Sequence, residues 1–272
     1  MKTSVFDVCG EIDVRVGRLQ RLLDQAKVYE GDEDRREIYG VLCQSFCVLM
    51  AACLEGYLKA LINSVISDLN HYLSGFSEVP LPIQREFCKK IVFFEKISEG
   101  DINKRINQLV DFFSENSVNI DWSKFSYKEN SNKNPNGLFI DRSFEKIGVK
   151  SIVSSISIPV INVAFEDSLR DSYLLRRDFR KFRSNLYFFP YKKIKRQYGF
   201  VRVFNKDEKK SATLWHAFLE NVMNRRHGIV HGDDMDVWYS TKDLGYDLLK
   251  ISVFMYAITY SMTNCFNGYF SD

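Results

Sequence analysis

The sequence predicts an all-α protein, an up-and-down bundle of long helices that carries a basic, partly irregular insertion. Only five prolines and 14 glycines occur among 272 residues, which leaves room for long uninterrupted helices. Apolar residues recur at helical spacing in the first and last thirds of the chain. A hydrophobic share of 45% is that of a globular protein. We therefore expect a single domain over residues 1–272, with an elaboration over residues 115–210.

The N-terminal third predicts two helices. Residues Glu11–Tyr29 carry apolar side chains at helical spacing, and a charged cluster then interrupts the pattern. A second, strongly apolar helix is expected from about Glu37 to Leu73, because Gly75 and the prolines after it would end it. Its apolar residues occupy more than one face, which is typical of a central helix with several neighbours.

The middle of the chain predicts shorter elements. The expected helices are Gln84–Phe113 (divided near Gly100), Arg142–Ile147 and Val163–Phe182. Between the first two, residues 114–137 are rich in Asn, Ser and Lys and contain the turn signal Asn134-Pro135-Asn136-Gly137. The aromatic stretch Tyr187–Phe204 is prone to strand formation and predicts a short β-hairpin.

The last third predicts two long helices. These are Ala212–Val230 and Ser240–Phe266, separated by a turn at Gly232-Asp233-Asp234. Together with the first and second helices they would form the bundle.

Several classes of protein find little support in the composition. The N-terminus has no apolar run of signal-peptide length. The longest apolar stretches, Val41–Ile62 and Leu248–Met262, are interrupted by charged residues and therefore predict buried helices rather than membrane spans. The six cysteines form no CxxC pair, so no zinc or redox motif is visible. We expect a cytoplasmic protein with no cofactor and no membrane partner.

One short stretch concentrates residues suited to catalysis. The chain has four histidines, of which three fall between His216 and His231. The stretch reads Asn224-Arg225-Arg226-His227-Gly228-Ile229-Val230-His231-Gly232-Asp233. Its Arg226 and His231, with four residues between them, resemble the signature of the HEPN superfamily, which is Arg, four to six residues, then His. A polar residue commonly follows the Arg in that signature, and His227 takes this place.

The resemblance extends to a second segment. Residues Cys47–Leu58 are similar to the apolar "ALE-x-YL" helix of several HEPN branches, among which the RiboL-PSP and MAE-type branches are the nearest. A long apolar helix after the motif also fits, so that the resemblance covers about half of the chain.

The resemblance implies a metal-independent endoribonuclease. His231 would act as acid or base when the RNA 2′-hydroxyl attacks the neighbouring phosphate, since an imidazole with a reference pKa of about 6.5 suits this role near neutrality. Arg226 would brace the phosphate oxygens. The products would carry a 2′,3′-cyclic phosphate and a free 5′-hydroxyl. Family members often serve as toxins or phage-defence effectors, which implies an antitoxin or sensor protein as a possible partner.

Helix geometry raises a difficulty for this assignment. Residues five apart on an ideal helix point about 140° from each other, so Arg226 and His231 share a face only if the helix loosens near Gly228 or the arginine reaches round. HEPN enzymes typically dimerise so that two copies of the motif line one cleft. The resemblance therefore implies a homodimer with its two-fold axis close to the motif.

Other interpretations of the motif stay open. The two residues could be a helix-end pair of cations placed favourably at a C-terminus. His227 and His231 have a metal-ligand spacing, with Asp233 or Asp234 as further ligands of a metal-dependent hydrolase. Asp233 could instead accept a hydrogen bond from the motif or cap the exit turn. A non-catalytic module that binds nucleic acid or protein is the alternative function.

Two other residues are ambiguous. Glu55 is unusual within an apolar helix: it could face the motif and support Arg226 or His231, or it could lie on an exposed strip with Lys59. His216, beside a tryptophan, is interpreted as a packed or surface histidine.

A basic segment adds a candidate RNA-binding surface. Residues 176–210 contain 13 Lys or Arg and three acidic residues, hence a charge of +10, and many aromatic residues lie among them. Cations for the backbone and rings for the bases are the composition of a single-strand binding surface. The rings could equally form a small core. The predicted RNA-binding residues are Arg176, Arg177, Arg180, Lys181, Arg183 and, beside the motif, Arg225.

Overall fold

A computed structural model describes residues 2–92, 98–116, 118, 136–166, 168–194, 213–232 and 238–270. All regular structure in these ranges is helical, which confirms the all-α prediction. The helices are α1 (Ser4–Lys27), α2 (Arg36–Tyr72), α3 (Leu81–Ile91), α4 (Glu99–Glu115), α5 (Gly137–Glu145), α6 (Ile152–Ser155), α7 (Pro159–Asn162), α8 (Leu169–Lys181), α9 (Leu214–His231) and α10 (Thr241–Phe270).

The four longest bundle helices alternate in direction along the chain. Helices α1 and α2 are antiparallel, since the backbone N–H of Ser4 meets the carboxylate of Asp68. Helices α2 and α10 run parallel, because Tyr57 contacts Thr259 at one end while Tyr39 bonds the carbonyl of Tyr239 at the other.

Helix α9 runs against α10. The ring of Trp215, near the start of α9, lies 5.6 Å from that of Phe254, and Arg225, further along α9, meets the earlier residue Asp247. The order α1, α2, α9, α10 is therefore up-and-down, as predicted.

Helix α2 has several neighbours, as predicted, and α10 is the more deeply buried of the two helices. Between Leu248 and Asn264 every residue of α10 except Lys250 is buried, because α1, α2 and α8 all pack against it. Helix α2 instead leaves one apolar strip exposed, including Val41 at 55% and Leu49 at 51%. The apolar residues of α2 therefore lie partly on the faces that pack against its neighbours and partly on an exposed strip.

One helix within the described ranges, Glu33–Tyr72, is long and apolar enough to cross a membrane by length and composition alone. A core helix of a soluble protein meets the same two criteria, and this one packs on α1, α9 and α10.

Three of the described helices between α2 and α9 pack on the bundle. Helices α5 and α6 contact α9, and α8 contacts α10, while α3 and α4 pack on each other. That a single domain spans the chain, with an elaboration at residues 115–210, stays a prediction.

The expected hairpin is wrong over the part of Tyr187–Phe204 that the structure describes, since residues 187–194 form no strand. Their backbone groups bond to distant groups instead: Thr3 donates its N–H to the carbonyl of Tyr187, and the side chain of Asn267 donates to that of Tyr191. A segment whose polar backbone is satisfied in this way needs no partner strand. Residues 195–204 lie outside the described ranges.

Asp68 joins three parts of the chain at the end of the bundle. Its carboxylate, 1% exposed, accepts hydrogen bonds from the backbone N–H of Ser4 and Val5, at 2.6 and 3.2 Å, and from the hydroxyl of Tyr191 at 2.8 Å. Burial raises the pKa of this carboxyl despite these bonds. Asp68 thus caps α1 and fastens the segment after α8 to α2.

We expect Asp68→Ala to lower the free energy of unfolding by about 2–4 kcal/mol, because it leaves buried donors without an acceptor. Urea denaturation measures the loss. The exposed aspartate Asp7, changed to alanine, is the control, with an expected effect below about 0.5 kcal/mol. An equal effect of the two substitutions would contradict the role of Asp68.

The same carboxyl predicts a pH effect. Because its pKa is raised in the folded protein, the folded state binds the proton more tightly than the unfolded chain does. This contribution is complete below the ordinary aspartate pKa and is lost as the pH rises through the raised value. Asp68→Asn should therefore remove that component from the pH dependence of urea stability.

Candidate active site

Helix α9 ends directly after His231. Gly232 follows with a φ of 84°, and its N–H bonds the carbonyls of Gly228 and Ile229. Residues with a side chain rarely adopt this φ, so the exit turn favours glycine, whose backbone is less restricted. The sequence His-Gly thereby places His231 in the last turn of a helix with its side chain exposed.

Two imidazoles lie together on the exposed face of α9. The ring centroids of His227 and His231, one turn apart, are separated by 4.2 Å, with 50° between the ring planes. Asn224, one turn earlier, is exposed on the same face. The structure therefore presents a pair of imidazoles to solvent.

Arg226 does not share that face. The helix is continuous through Gly228, so it does not loosen there, and ideal helix geometry directs Arg226 about 140° away from His231. Arg226 is also partly buried, whereas His231 is exposed. One copy of the chain thus brings His227 and His231 together and leaves the arginine on a neighbouring face.

The described residues offer no third ligand for a metal at the two histidines. Within these ranges no group of three or more His, Cys, Asp or Glu side chains could hold a metal ion. The predicted further ligands Asp233 and Asp234 lie outside the described residues, as does the predicted bond or cap from Asp233.

Arg225 is held inside the bundle. Its side chain, 17% exposed, donates to Asp247 at 2.8 Å and lies over the ring of Tyr239 at 4.9 Å. Burial alone would lower the pKa of Arg225, but the Asp247 carboxylate raises it, so the arginine stays charged. On the α2 side it lies beside Cys47, whose pKa burial raises to about 11. This geometry does not favour the prediction that Arg225 faces RNA.

Glu55 lies away from the motif. Its carboxylate binds Lys59 at 2.6 Å, which favours the exposed-strip interpretation. Arg225 meets Cys47, and α9 runs against α2, so His231 lies toward the N-terminus of α2 from that point. Glu55 lies eight residues in the opposite direction, about 12 Å along the helix.

Two of the basic residues of α8 form ion pairs with another helix. Arg176 and Arg180 both donate to Asp13 of α1, at 2.8 and 2.7 Å. Burial alone would raise the pKa of Asp13, but the hydrogen bonds from the two arginines lower it below its ordinary value. Arg176, 16% exposed, therefore links α8 to α1 inside the fold, whereas Arg180 forms the same link and is half exposed.

The remaining predicted RNA-binding residues differ in exposure. Arg177 and Lys181, 62% and 63% exposed, flank Asp178. Arg183 packs over the ring of Phe6 at 4.0 Å and donates to its carbonyl. Helix α8 packs on α10 and is bonded to α1 through Asp13, whereas α9 packs on α2, α5 and α6, so these cations and the motif lie on helices with largely different neighbours.

A buried histidine network that sequence reasoning missed fixes the start of α9. The N–H of Thr213 donates to Nδ1 of His216 at 3.3 Å, so Nδ1 is an acceptor and Nε2 carries the proton toward Asp141 at 3.1 Å. Asp141 also accepts from the N–H of Val153. A Cβ on Gly137 would lie 2.5 Å from the His216 ring, so only glycine fits. The spacing Thr213-x-x-His216 at a helix start was the available signal.

We expect Arg225→Ala to destabilise the fold by about 2–3 kcal/mol, because among the described residues Asp247 would keep only Lys250, 3.7 Å away, as an ion-pair partner. Arg177→Ala, which removes an exposed arginine, should cost less than about 0.5 kcal/mol. Urea denaturation of both variants makes the comparison. If Arg225→Ala were as stable as Arg177→Ala, the structural role of Arg225 would be refuted.

Comparison with known protein families assigns the chain to a family. The RiboL-PSP-HEPN family model matches residues 15–264, which is most of the chain and includes the motif and every bundle helix wholly or in large part. No curated protein and no solved structure matches the chain. A family match over this share of the sequence, on an all-α structure, establishes that the chain belongs to the RiboL-PSP-HEPN family.

Proposed function

We propose that the protein is a metal-independent endoribonuclease whose catalytic residues are Arg226 and His231. HEPN families are associated with RNases and with RNA-related roles. The observation that carries the proposal is the exposed pair of imidazoles at the end of α9, inside the family signature.

The reaction assigns a task to each group. The imidazole of His231 takes the proton from the RNA 2′-hydroxyl while the hydroxyl oxygen forms a bond to phosphorus. The bond from phosphorus to the 5′-oxygen breaks, and a second side chain acts as the acid that protonates that oxygen. Negative charge grows on the phosphate oxygens meanwhile, and the guanidinium of Arg226 stabilises it with parallel donors. The products are a 2′,3′-cyclic phosphate and a 5′-hydroxyl.

The need for a separate acid, in addition to the base His231, argues for two copies of the chain. Attacking and leaving oxygens lie on opposite sides of the phosphorus in an in-line reaction. The rings of His227 and His231, 4.2 Å apart, are in contact, so no phosphate fits between them. Arg226 also lies on another face of the helix. A homodimer in which each cleft combines residues from two motifs meets both requirements, and we propose this composite site.

The biological role that we propose follows from the HEPN resemblance. The activity would serve as a cytoplasmic toxin or phage-defence effector, restrained by an antitoxin or sensor protein. Uncontrolled RNA cleavage would harm the cell, and a restraining partner is therefore part of the proposal.

A non-catalytic RNA- or protein-binding module is the second candidate. The separation of Arg226 from His231 on one helix favours it, since an isolated chain does not assemble both groups on one face. The two candidates differ in whether RNA is cut.

We expect the wild type to cut a mixed RNA pool in EDTA and to leave 2′,3′-cyclic phosphate ends. Arg226→Ala and His231→Ala should each lower the rate by at least about 100-fold, because each removes a group that acts in the transition state. Arg21→Ala, an exposed arginine on α1, is the control. Cleavage by both motif variants at the wild-type rate would refute the site, and loss of cleavage in EDTA would favour a metal-dependent enzyme.

Mixing the two inactive variants tests the composite site. If each cleft takes His231 from one chain and takes Arg226 and an acid other than His231 from the other chain, random pairing of Arg226→Ala with His231→Ala restores about a quarter of the wild-type activity, since half of the dimers are mixed and each has one intact cleft. Each variant alone provides the baseline. No recovery in a mixture shown by light scattering and subunit exchange to contain mixed dimers would place both residues in one chain.

A further inference from the structure

We propose that the exposed rings of Tyr187 and Phe188, with Lys192 and Lys193, form a stacking platform for single-stranded RNA. This inference rests on the proposed function, and it names the form of the substrate that the site would take. We call these four residues the stacking platform.

The two rings present a large exposed aromatic surface. Tyr187 is 39% exposed and Phe188 is 55% exposed. Tyr187 packs nearly perpendicular to Phe6 at 5.1 Å, and Phe188 packs nearly perpendicular to Tyr187 at 4.9 Å. Neighbouring aromatic rings with exposed surface are the feature on which unpaired bases stack, whatever their sequence.

The backbone that carries the rings is fastened on both sides. Thr3 donates its N–H to the carbonyl of Tyr187 and its hydroxyl to that of Leu186, at 3.1 and 2.5 Å. The next ring along, Phe189, stacks on Tyr72 of α2 at 5.0 Å with 6° between the planes. Since the rings are positioned before a ligand arrives, binding loses little conformational entropy.

The surrounding charge favours a polyanion. Lys192 and Lys193 are exposed, and neither forms a salt bridge within the described part of the chain. Arg183 adds a further cation over the ring of Phe6. The exposed acid nearby, Asp7, is paired with a lysine. Lysine is depleted at protein–protein interfaces, whereas a strand of RNA needs both cations and rings.

The platform lies far from the motif within one chain. Phe189, next to the platform rings, stacks on Tyr72 at the C-terminal end of α2, whereas α9 meets α2 at Cys47. These residues are 25 apart, so the two positions differ by about 38 Å along the helix. At about 3.4 Å per stacked nucleotide, a strand needs about 11 nucleotides to cover that length. The substrate inferred here is therefore a single-stranded RNA longer than the few nucleotides around the cut.

Binding by cleavage-inactive protein tests the platform. We would measure fluorescence anisotropy of a labelled 20-nucleotide single-stranded RNA with His231→Ala and with His231→Ala carrying Phe188→Ala. We expect the added substitution to raise the Kd at least five-fold, because one stacked base contributes about 1–3 kcal/mol. Phe188→Trp, which keeps a ring, should restore tight binding. Phe112→Ala is the matched control, since Phe112 is 56% exposed on α4.

The length and salt dependence give independent readouts. In the wild type, Phe188→Ala should raise the KM for the 20-nucleotide RNA and leave that for a four-nucleotide RNA unchanged. Lys192→Ala with Lys193→Ala should reduce the slope of log Kd against log salt by about 1.4.

The outcomes separate this inference from the proposed function. If His231→Ala binds the RNA and Phe188→Ala binds it as tightly as Phe112→Ala, the platform is refuted and the nuclease stands. If Phe188→Ala leaves RNA affinity intact but weakens capture of a protein, the surface is a protein-docking site and the inference is overturned. If His231→Ala binds no RNA and the wild type cuts none, the proposed function itself fails.

Discussion

The ion pair between Arg225 and Asp247 fixes how α9 is rotated about its axis. Because a partly buried guanidinium needs a counter-charge, Arg225 must face α10, where Asp247 lies 12% exposed. Successive helical residues are about 100° apart, so this constraint decides the direction of every later side chain. It leaves Arg226 partly buried and turns His227 and His231 to solvent. The exposure of the motif residues thus depends on an arginine that joins α9 to α10.

A continuous helix then separates groups that the proposed reaction needs together. The exit turn at Gly232 keeps His231 at the very end of α9, where a second chain can approach it. The network from Thr213 through His216 to Asp141 holds the other end of α9. With both ends held, α9 is unsuited to unwinding as a means of uniting Arg226 with His231. Approach of a second motif requires no such distortion, and for this reason the composite site is the simpler arrangement.

Helical spacing was sufficient to predict the long helices, because each buries a recurring apolar face. It could not show that Arg225 points inward, since two adjacent arginines are equivalent in composition and only tertiary packing distinguishes them. The described part of the aromatic stretch after α8, residues 187–194, forms no strand for a similar reason: Thr3 and Asn267, distant in sequence, bond to its carbonyls. The paired imidazoles were predictable, since residues four apart share a helical face.

Charge counted along a sequence overstates the cations available to RNA. Residues 176–210 carry a net charge of +10. Two of their arginines, Arg176 and Arg180, are nevertheless paired with Asp13, which lies outside that segment. An arginine that bridges two helices contributes stability, and the donors that it directs at Asp13 are not free to bind phosphate. Lysines without a carboxylate partner keep their charge available, and Lys192 and Lys193 are of this kind among the described residues. We therefore propose that RNA binding depends on the cations that the fold leaves without a carboxylate partner, and that these lie in the segment after α8 rather than on α8 itself.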